Sequence, residues 1–326
     1  MLQDNMKKGV DLAKKEIVLE DIPGVGEKIA EKLREVGYTD LMAIAVTAPS
    51  ELAAIAEIGE GQATKIISSV RQMLEIGFET ADKVAERKAK ALKITTGSQN
   101  LDNILGGGIP TQAITETYGQ FGTSKSQLAF QLATNVQLPP ERGGLGRNCL
   151  FIDTENTFSP DRIVSMAKAL KLDPDKTLKN IYICRAYNSE HQMFLIDKAQ
   201  ETIQEKNIGI IIIDSLTSHF RADFMGRGEL AERQQKLNRH LHQLQRLADA
   251  HNLVVYVTNQ VMMDPSVLFG DPVRAVGGAI LAHMATYRLY FRRGKEGTRV
   301  CRVVDAPNLM EAEAVFKITT DGIRDP

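Results

Sequence analysis

At 326 residues, with 43% hydrophobic and 25% charged positions, the chain has room for one large α/β domain and a smaller one. Its net charge of −1 gives no nucleic-acid footprint, so any DNA binding would have to come from local basic clusters. Three widely spaced cysteines (Cys149, Cys184, Cys301) argue against a disulfide framework or metal cluster and suit the cytoplasm, while the chain shows neither a membrane-length apolar run nor a secretory signal over Met1–Leu19.

Residues 1–75 are predicted to form a small all-α domain, with short helices separated by glycine turns over 16–75. Two turns look alike: Ile22-Pro23-Gly24-Val25-Gly26 followed by Lys28, and Ile58-Gly59-Glu60-Gly61 followed by Lys65. Each is an apolar residue, a Gly-x-Gly and a helix start. Such a turn exposes helix N-terminal amides that suit a DNA phosphate, assisted by Lys28 or Lys65. This pattern resembles a tandem helix-hairpin-helix, and simple interhelical turns remain the alternative. Residues 76–93 read as a charged, helix-prone linker in which Phe78 and Ala81 are the apolar exceptions.

From 94 to 326, strands alternate with amphipathic helices. Strands are predicted near Ala113–Thr117, Cys149–Asp153, Ile181–Arg185, Ile208–Asp214, Leu253–Asn259, Tyr287–Phe291 and Arg299–Val304. Helices are predicted at Ser126–Gln137, Pro160–Leu170, His191–Gln204 and Glu229–His251. Repeated β-α-β implies an α/β fold with a mostly parallel sheet, covered on both faces, that binds ligands at its carboxyl ends.

After the first of these strands comes Gly119-Gln120-Phe121-Gly122-Thr123-Ser124-Lys125-Ser126, then Gln127. It fits the phosphate-binding pattern G-x-x-x-x-G-K-S/T except at Ser124, where the second glycine belongs. The loop aims backbone amides at phosphates, Lys125 neutralises their charge, and Ser126 faces Mg²⁺. If that position needs a left-handed backbone, Ser124 costs roughly 1–2 kcal/mol, or about tenfold in nucleotide affinity. The apolar strand ending at Asp214 supplies a second ligand for Mg²⁺. Glu155 can polarise an attacking water, and Gln260 can sense the terminal phosphate. Arginines cluster at Arg221, Arg227, Arg233 and Arg239, and again at Arg292–Arg293. Two long glycine-bearing segments, Phe220–Leu230 and Met262–Gly278, suit contacts to single-stranded DNA.

Taken in order, these pieces resemble the archaeal RadA strand-exchange recombinases of the RecA superfamily. The strings that carry the resemblance are Leu105-Gly106-Gly107-Gly108-Ile109, Gln137-Leu138-Pro139-Pro140, Ile152-Asp153-Thr154-Glu155-Asn156-Thr157-Phe158, Gly226-Arg227-Gly228-Glu229-Leu230, Thr258-Asn259-Gln260-Val261, Phe269-Gly270-Asp271-Pro272 and Val304-Asp305-Ala306-Pro307. The resemblance implies a RecA-like ATPase core that forms filaments on single-stranded DNA, exchanges strands with a duplex and hydrolyses ATP with Mg²⁺. It implies that Phe78 and Ala81 insert into a neighbouring subunit and that Arg162 covers the adenine. His283, Asp305 and Pro307 would close over ATP on the adjacent protomer. Arg221, Arg227 and Arg233 would fall in or beside a first DNA loop, and Met263 to Val276, with Arg274, would span a second that Gly277 and Gly278 follow. Mediators or paralogues would be further partners.

Besides Ser124, the segment Pro307-Asn308-Leu309-Met310-Glu311-Ala312-Glu313 departs from the relatives' P-H-L-P-E-G-E. An accessory paralogue that hydrolyses ATP weakly is therefore the alternative, and a nucleotide-switched scaffold without DNA binding is a third.

Overall fold

The computed structural model describes residues 19–35, 38, 41–74, 80–224, 226–263 and 273–326. The chain divides into two compact units, one ending at Ala85 and one running from Glu86 to Pro326.

The smaller unit packs α1 (Glu27–Glu35), α2 (Leu41–Val46), α3 (Pro49–Ala56) and α4 (Glu60–Met73) around one core. Helix α4 buries Ala63, Ile66, Ile67 and Val70, the i, i+3, i+4, i+7 stripe of an amphipathic helix. The two glycine turns are built differently. Gly24 takes a left-handed φ of 91°, whereas at the second turn the left-handed residue is Glu57 (φ 50°), the C-cap of α3. Gly59 is the N-cap of α4 in ordinary extended backbone, and Gly61 has open space where a Cβ would stand. The expectation that paired glycines make both turns is corrected: the helix end at Ala56 already reverses the chain. Helix α5 (Ala81–Lys88) spans the division between units and buries no residue.

In the larger unit, β1 (Lys93–Ile94) pairs with β2 (Ile109–Pro110) around α6 (Gln99–Ile104). Then follow β3 (Ala113–Gly119), α7 (Lys125–Asn135), β4 (Asn148–Asp153), α8 (Pro160–Ala169), α9 (Pro174–Lys179), β5 (Ile181–Arg185), α10 (Ser189–Glu205) and β6 (Ile208–Asp214). The chain continues through α11 (Ser218–Asp223), α12 (Leu230–His251), β7 (Val254–Asn259), β8 (Val261–Met263), β9 (Val273–Ala275) and α13 (Gly278–Met284). It closes with β10 (Tyr287–Arg293), β11 (Arg299–Asp305), β12 (Glu313–Thr319) and β13 (Gly322–Arg324).

Among the described residues the main sheet has nine strands, ordered β13-β12-β11-β10-β3-β7-β6-β4-β5. The strands from β10 to β5 are parallel, and β11, β12 and β13 extend the sheet antiparallel. Side chains alternate across it: Ile210 and Ile212 of β6 join the core that holds α7, while Ile211 and Ile213 join the core that holds α10 and α12. Burial on both faces explains why β6 reads as a continuous apolar run.

The predicted strands are present, within two residues at their ends, as are the four predicted helices. Strands β12 and β13 went unpredicted: β12 carries Ala314, Val315, Phe316 and Ile318, but it joins the margin of the sheet antiparallel, outside the β-α-β repeat. The connection from β3 crosses past β7 and β6 to reach β4. That crossover opens a crevice at the carboxyl ends of β3, β7 and β6.

Candidate nucleotide-binding site

Every residue of β3 is buried, and the strand delivers Gly119 to the crevice. A Cβ on Gly119 would stand 2.2 Å from the Phe291 carbonyl oxygen, so no side chain fits there. The loop then folds on itself, with Thr123 Oγ1 donating to the Gln120 carbonyl at 2.8 Å. Ser124 lies at φ 85°, ψ 21°, the left-handed region that a glycine would occupy without strain. Its Oγ accepts a hydrogen bond from Arg299 Nε at 3.2 Å.

Helix α7 begins at Lys125, so its first-turn amides face the loop. Lys125 Nζ donates to the carbonyls of Gly119 (2.9 Å) and Gln120 (3.0 Å). Burial pulls its pKa below the usual lysine value, against the charges of Asp214 and Glu155. The ammonium is therefore partly stripped of water, which strengthens its attraction for an anion.

Strand β6 places Asp214 beside Asp153 of β4 in register. Thr258 Oγ1 donates to Asp214 Oδ1, while Oδ2 is buried without a hydrogen-bond partner among the described residues. Burial raises the Asp214 pKa, and the nearby Ser126 hydroxyl and the hydrogen bond from Thr258 oppose the rise. Glu155 follows β4. Asp153 orients this turn by accepting from the amides of Glu155 (3.1 Å), Thr157 (3.2 Å) and Phe158 (2.9 Å). Glu155 Oε1 accepts from Ser215 Oγ at 2.9 Å and from Gln260 Nε2 at 2.8 Å. Arg221 Nη1 reaches Gln260 Oε1 at 3.5 Å.

Gly119, Lys125, Ser126, Glu155, Asp214 and Gln260 thus line one cavity of about 760 Å³, together with Gln120, Phe121, Gly122, Ser124 and Gln127. Thr123 is buried behind it. Among the described residues no cluster of three or more His, Cys, Asp or Glu could cage a metal. The unpartnered Asp214 Oδ2 with the Ser126 hydroxyl fits the other mode, in which Mg²⁺ takes few protein ligands and completes its shell with phosphate and water.

The remaining predicted residues lie elsewhere. Arg162 of α8 is tied down: it donates to Gln127 Oε1 (2.7 Å) and to the carbonyls of Thr319 and Thr320 (2.6 Å each). His283, Asp305 and Pro307 are exposed. Asp305 pairs in register with Arg288, which stands opposite Glu116, whereas Phe291 stands opposite Gly119. Three strand residues separate those levels, so Asp305 lies about 10 Å further down the sheet, away from its own phosphate loop. Arg233 is half-buried on α12, and Arg274 is exposed on β9. Gly277 and Gly278 both take left-handed φ (99° and 64°) at the start of α13. Arg227 opens a short 3₁₀ turn. Lys28 and Lys65 are exposed on α1 and α4, and Gln62 Nε2 donates to the Gly24 carbonyl at 3.4 Å, joining the two hairpin turns. Ala81 is exposed at the start of α5, and Phe78 lies outside the described residues.

Sequence reasoning missed Arg299 and the pair Glu116–Arg288 (2.7 Å). The Arg292–Arg293 cluster was visible as a charge run, but nothing local pointed it at the phosphate loop.

Residues 87–326 match the Rad51 family. The chain belongs to the Rad51 family. Residues 16–72 match the SAM-like helix-hairpin-helix tandem, in agreement with the paired turns of the smaller unit. A Rad51-family core joined to a helix-hairpin-helix tandem is the composition of a recombinase-type DNA-binding protein, and Rad51-family proteins bind ATP with Mg²⁺. Among the described residues no helix of this Rad51-family chain is long and apolar enough to cross a membrane.

Proposed function

We propose that this protein is an ATP-dependent DNA strand-exchange recombinase of the RadA type, acting in homologous recombination and repair. The observation that carries this is the path Arg221–Gln260–Glu155. It joins an arginine of the first DNA segment to the carboxylate in the nucleotide cavity. Engagement of a DNA phosphate by Arg221 competes with its contact to Gln260, and Gln260 in turn shares Glu155 with Ser215. DNA binding thereby resets the hydrogen bonds of the group that accepts a proton from the attacking water. Lys125 and the α7 amides hold the phosphates, and Ser126 and Asp214 hold Mg²⁺. Bound there, Mg²⁺ would neutralise phosphate charge during transfer.

Self-assembly belongs to the same proposal. Strand β5 is one of the two edge strands of the described sheet, and Ile183 and Tyr187 are exposed on and beside it. Such an edge suits an extended segment from another copy, and Phe78 with Ala81 is the segment proposed to fill it. His283, Asp305 and Pro307, remote from their own phosphate loop, are proposed to cover the nucleotide of an adjacent protomer, and Arg162 to cover the adenine. Lys28 and Lys65 are proposed to grip DNA backbones, and Arg227, Arg233, Arg274, Gly277 and Gly278 to contact the central strand.

A second reading, an accessory paralogue with slow turnover, is favoured by one observation: the strained Ser124 in the phosphate loop. ATP hydrolysis measured with and without single-stranded DNA separates the two. The recombinase shows DNA-stimulated turnover that Lys125→Ala and Glu155→Gln each abolish. Wild-type turnover indifferent to DNA would leave only the second reading.

A further inference from the structure

We propose that Ser124 and Arg299 act as one unit of the nucleotide site, with the Ser124 hydroxyl positioning Arg299 as an additional phosphate ligand from the same subunit. The proposal rests on the nucleotide-site reading above and adds a cation that the phosphate-loop motif does not contain.

Five arginines lie on β10 and β11. Three have carboxylate partners: Arg288 with Glu116, Arg292 with Glu313 and Arg302 with Glu311. The other two, Arg293 and Arg299, have none among the described residues, and they are the two that meet the phosphate loop. Arg293 Nη2 lies 2.8 Å from where a Cβ on Gly122 would stand. Arg299 lines the same cavity as Lys125 and Ser126.

Arg299 is also fixed in place. Nε donates to Ser124 Oγ at 3.2 Å, and Nη1 donates to the carbonyls of Gly297 and Thr298 at 2.9 Å each. These bonds engage the guanidinium on the side facing its own hairpin and the loop. The two N–H groups of Nη2 have no protein acceptor among the described residues. A guanidinium immobilised this way, without an acid, beside a lysine and a helix N-terminus, is a preorganised ligand for a phosphate oxygen.

This gives the departure at Ser124 a purpose. Glycine would adopt φ 85° without strain, but it would offer Arg299 Nε no acceptor. Serine accepts the strain and supplies that acceptor.

The test is equilibrium binding of a fluorescent ATP analogue with Mg²⁺ to the full-length protein without DNA. Arg299→Gln is expected to weaken binding about 10- to 100-fold, the value of a hydrogen bond to a charged group. Ser124→Ala keeps the strained Cβ and loses only the hydroxyl. It is expected to weaken binding several-fold, and the double variant to bind no worse than Arg299→Gln alone. Ser124→Gly loses the anchor but also relieves the backbone strain, so it is read against Ser124→Ala, and the gain of glycine over alanine at this position is expected to be the same with and without Arg299→Gln. Unfolding midpoints without nucleotide check that each variant is folded. Binding by Arg299→Gln within twofold of wild type, Ser124→Ala binding as tightly as wild type, or multiplying effects in the double variant would overturn the pairing. Where Lys125→Ala still abolishes binding in that case, the nucleotide site stands and only the role of Arg299 falls. A wild type that binds no nucleotide removes both.

Discussion

Glu116 is the most consequential charge in the core that no motif announces. It is fully buried in β3, where Oε2 accepts from Arg288 Nε at 2.7 Å and Oε1 accepts from Asn259 Nδ2 at 2.7 Å. Asn259 also donates to the Val276 carbonyl at 2.6 Å and accepts from Thr217 Oγ1 at 2.7 Å. Glu116→Ala removes two charge-assisted bonds and leaves Arg288, whose side chain is only 15% exposed, without its carboxylate. Breaking a buried pair on one side costs about 3–5 kcal/mol, and the residual exposure of Arg288 points to about 3. For a unit of roughly 240 residues the unfolding entropy near the midpoint is about 0.5 kcal/mol per degree, so the melting temperature should fall by about 6 °C.

Denaturant unfolding and thermal melts of Glu116→Ala, of Glu116→Leu and of Glu116→Leu with Arg288→Met measure this. The double variant should recover most of the loss, because the cost lies in the orphaned charge more than in a missing attraction. A Glu116→Ala protein within about 1 kcal/mol of wild type, or a double variant no more stable than Glu116→Leu alone, refutes the assignment.

Three further outcomes are expected. Burial holds the His240 pKa at about 3 against 6.5 for a free imidazole, so below pH 6.5 the unfolded chain gains a proton that the folded one does not. Stability should fall by about 1.4 kcal/mol per pH unit on going down from 6.5, and His240→Leu should remove that share of the slope in urea melts at pH 7.5 and 5. Asp214→Asn should raise the nucleotide-free melting temperature by removing a buried carboxylate with an unpartnered oxygen, while abolishing the stabilisation given by Mg²⁺-ATP; a lower nucleotide-free midpoint contradicts this. Phe78→Glu should convert assemblies to monomers by light scattering, and an unchanged mass would place polymerisation in another contact.

Much of the fold was legible because its signals are local. The run Ile208–Ile213 reads as a two-face-buried strand, since a central parallel strand needs apolar side chains on successive residues. The phosphate loop is eight consecutive residues, so its ligand class follows from spacing. Two of the three side-chain hydrogen bonds of Arg162, by contrast, go to the end of β12 and the turn after it, which lie more than 150 residues away in the chain. The second hairpin turn also misled: two glycines looked like the cause of a reversal that Glu57 performs as a helix cap.

The sequence by itself determined that a phosphate loop, a strand-end aspartate and a glutamate would share one crevice, because each sits at a fixed offset from a strand that its own residues specify. It also determined that Ser124 departs from the pattern and that φ > 0 there would cost energy. Only the tertiary structure decided what Ser124 meets. Arg299 is 175 residues away and arrives through the register of β10 against β3 and of β11 against β10. Glu116 and Asn259, 143 residues apart, are neighbours for the same reason. Hydrogen-bond register across a sheet is a property of packed strands, since moving a strand by one residue turns every side chain to the other face. Local pattern fixes what each strand is, and packing fixes which side chains face one another.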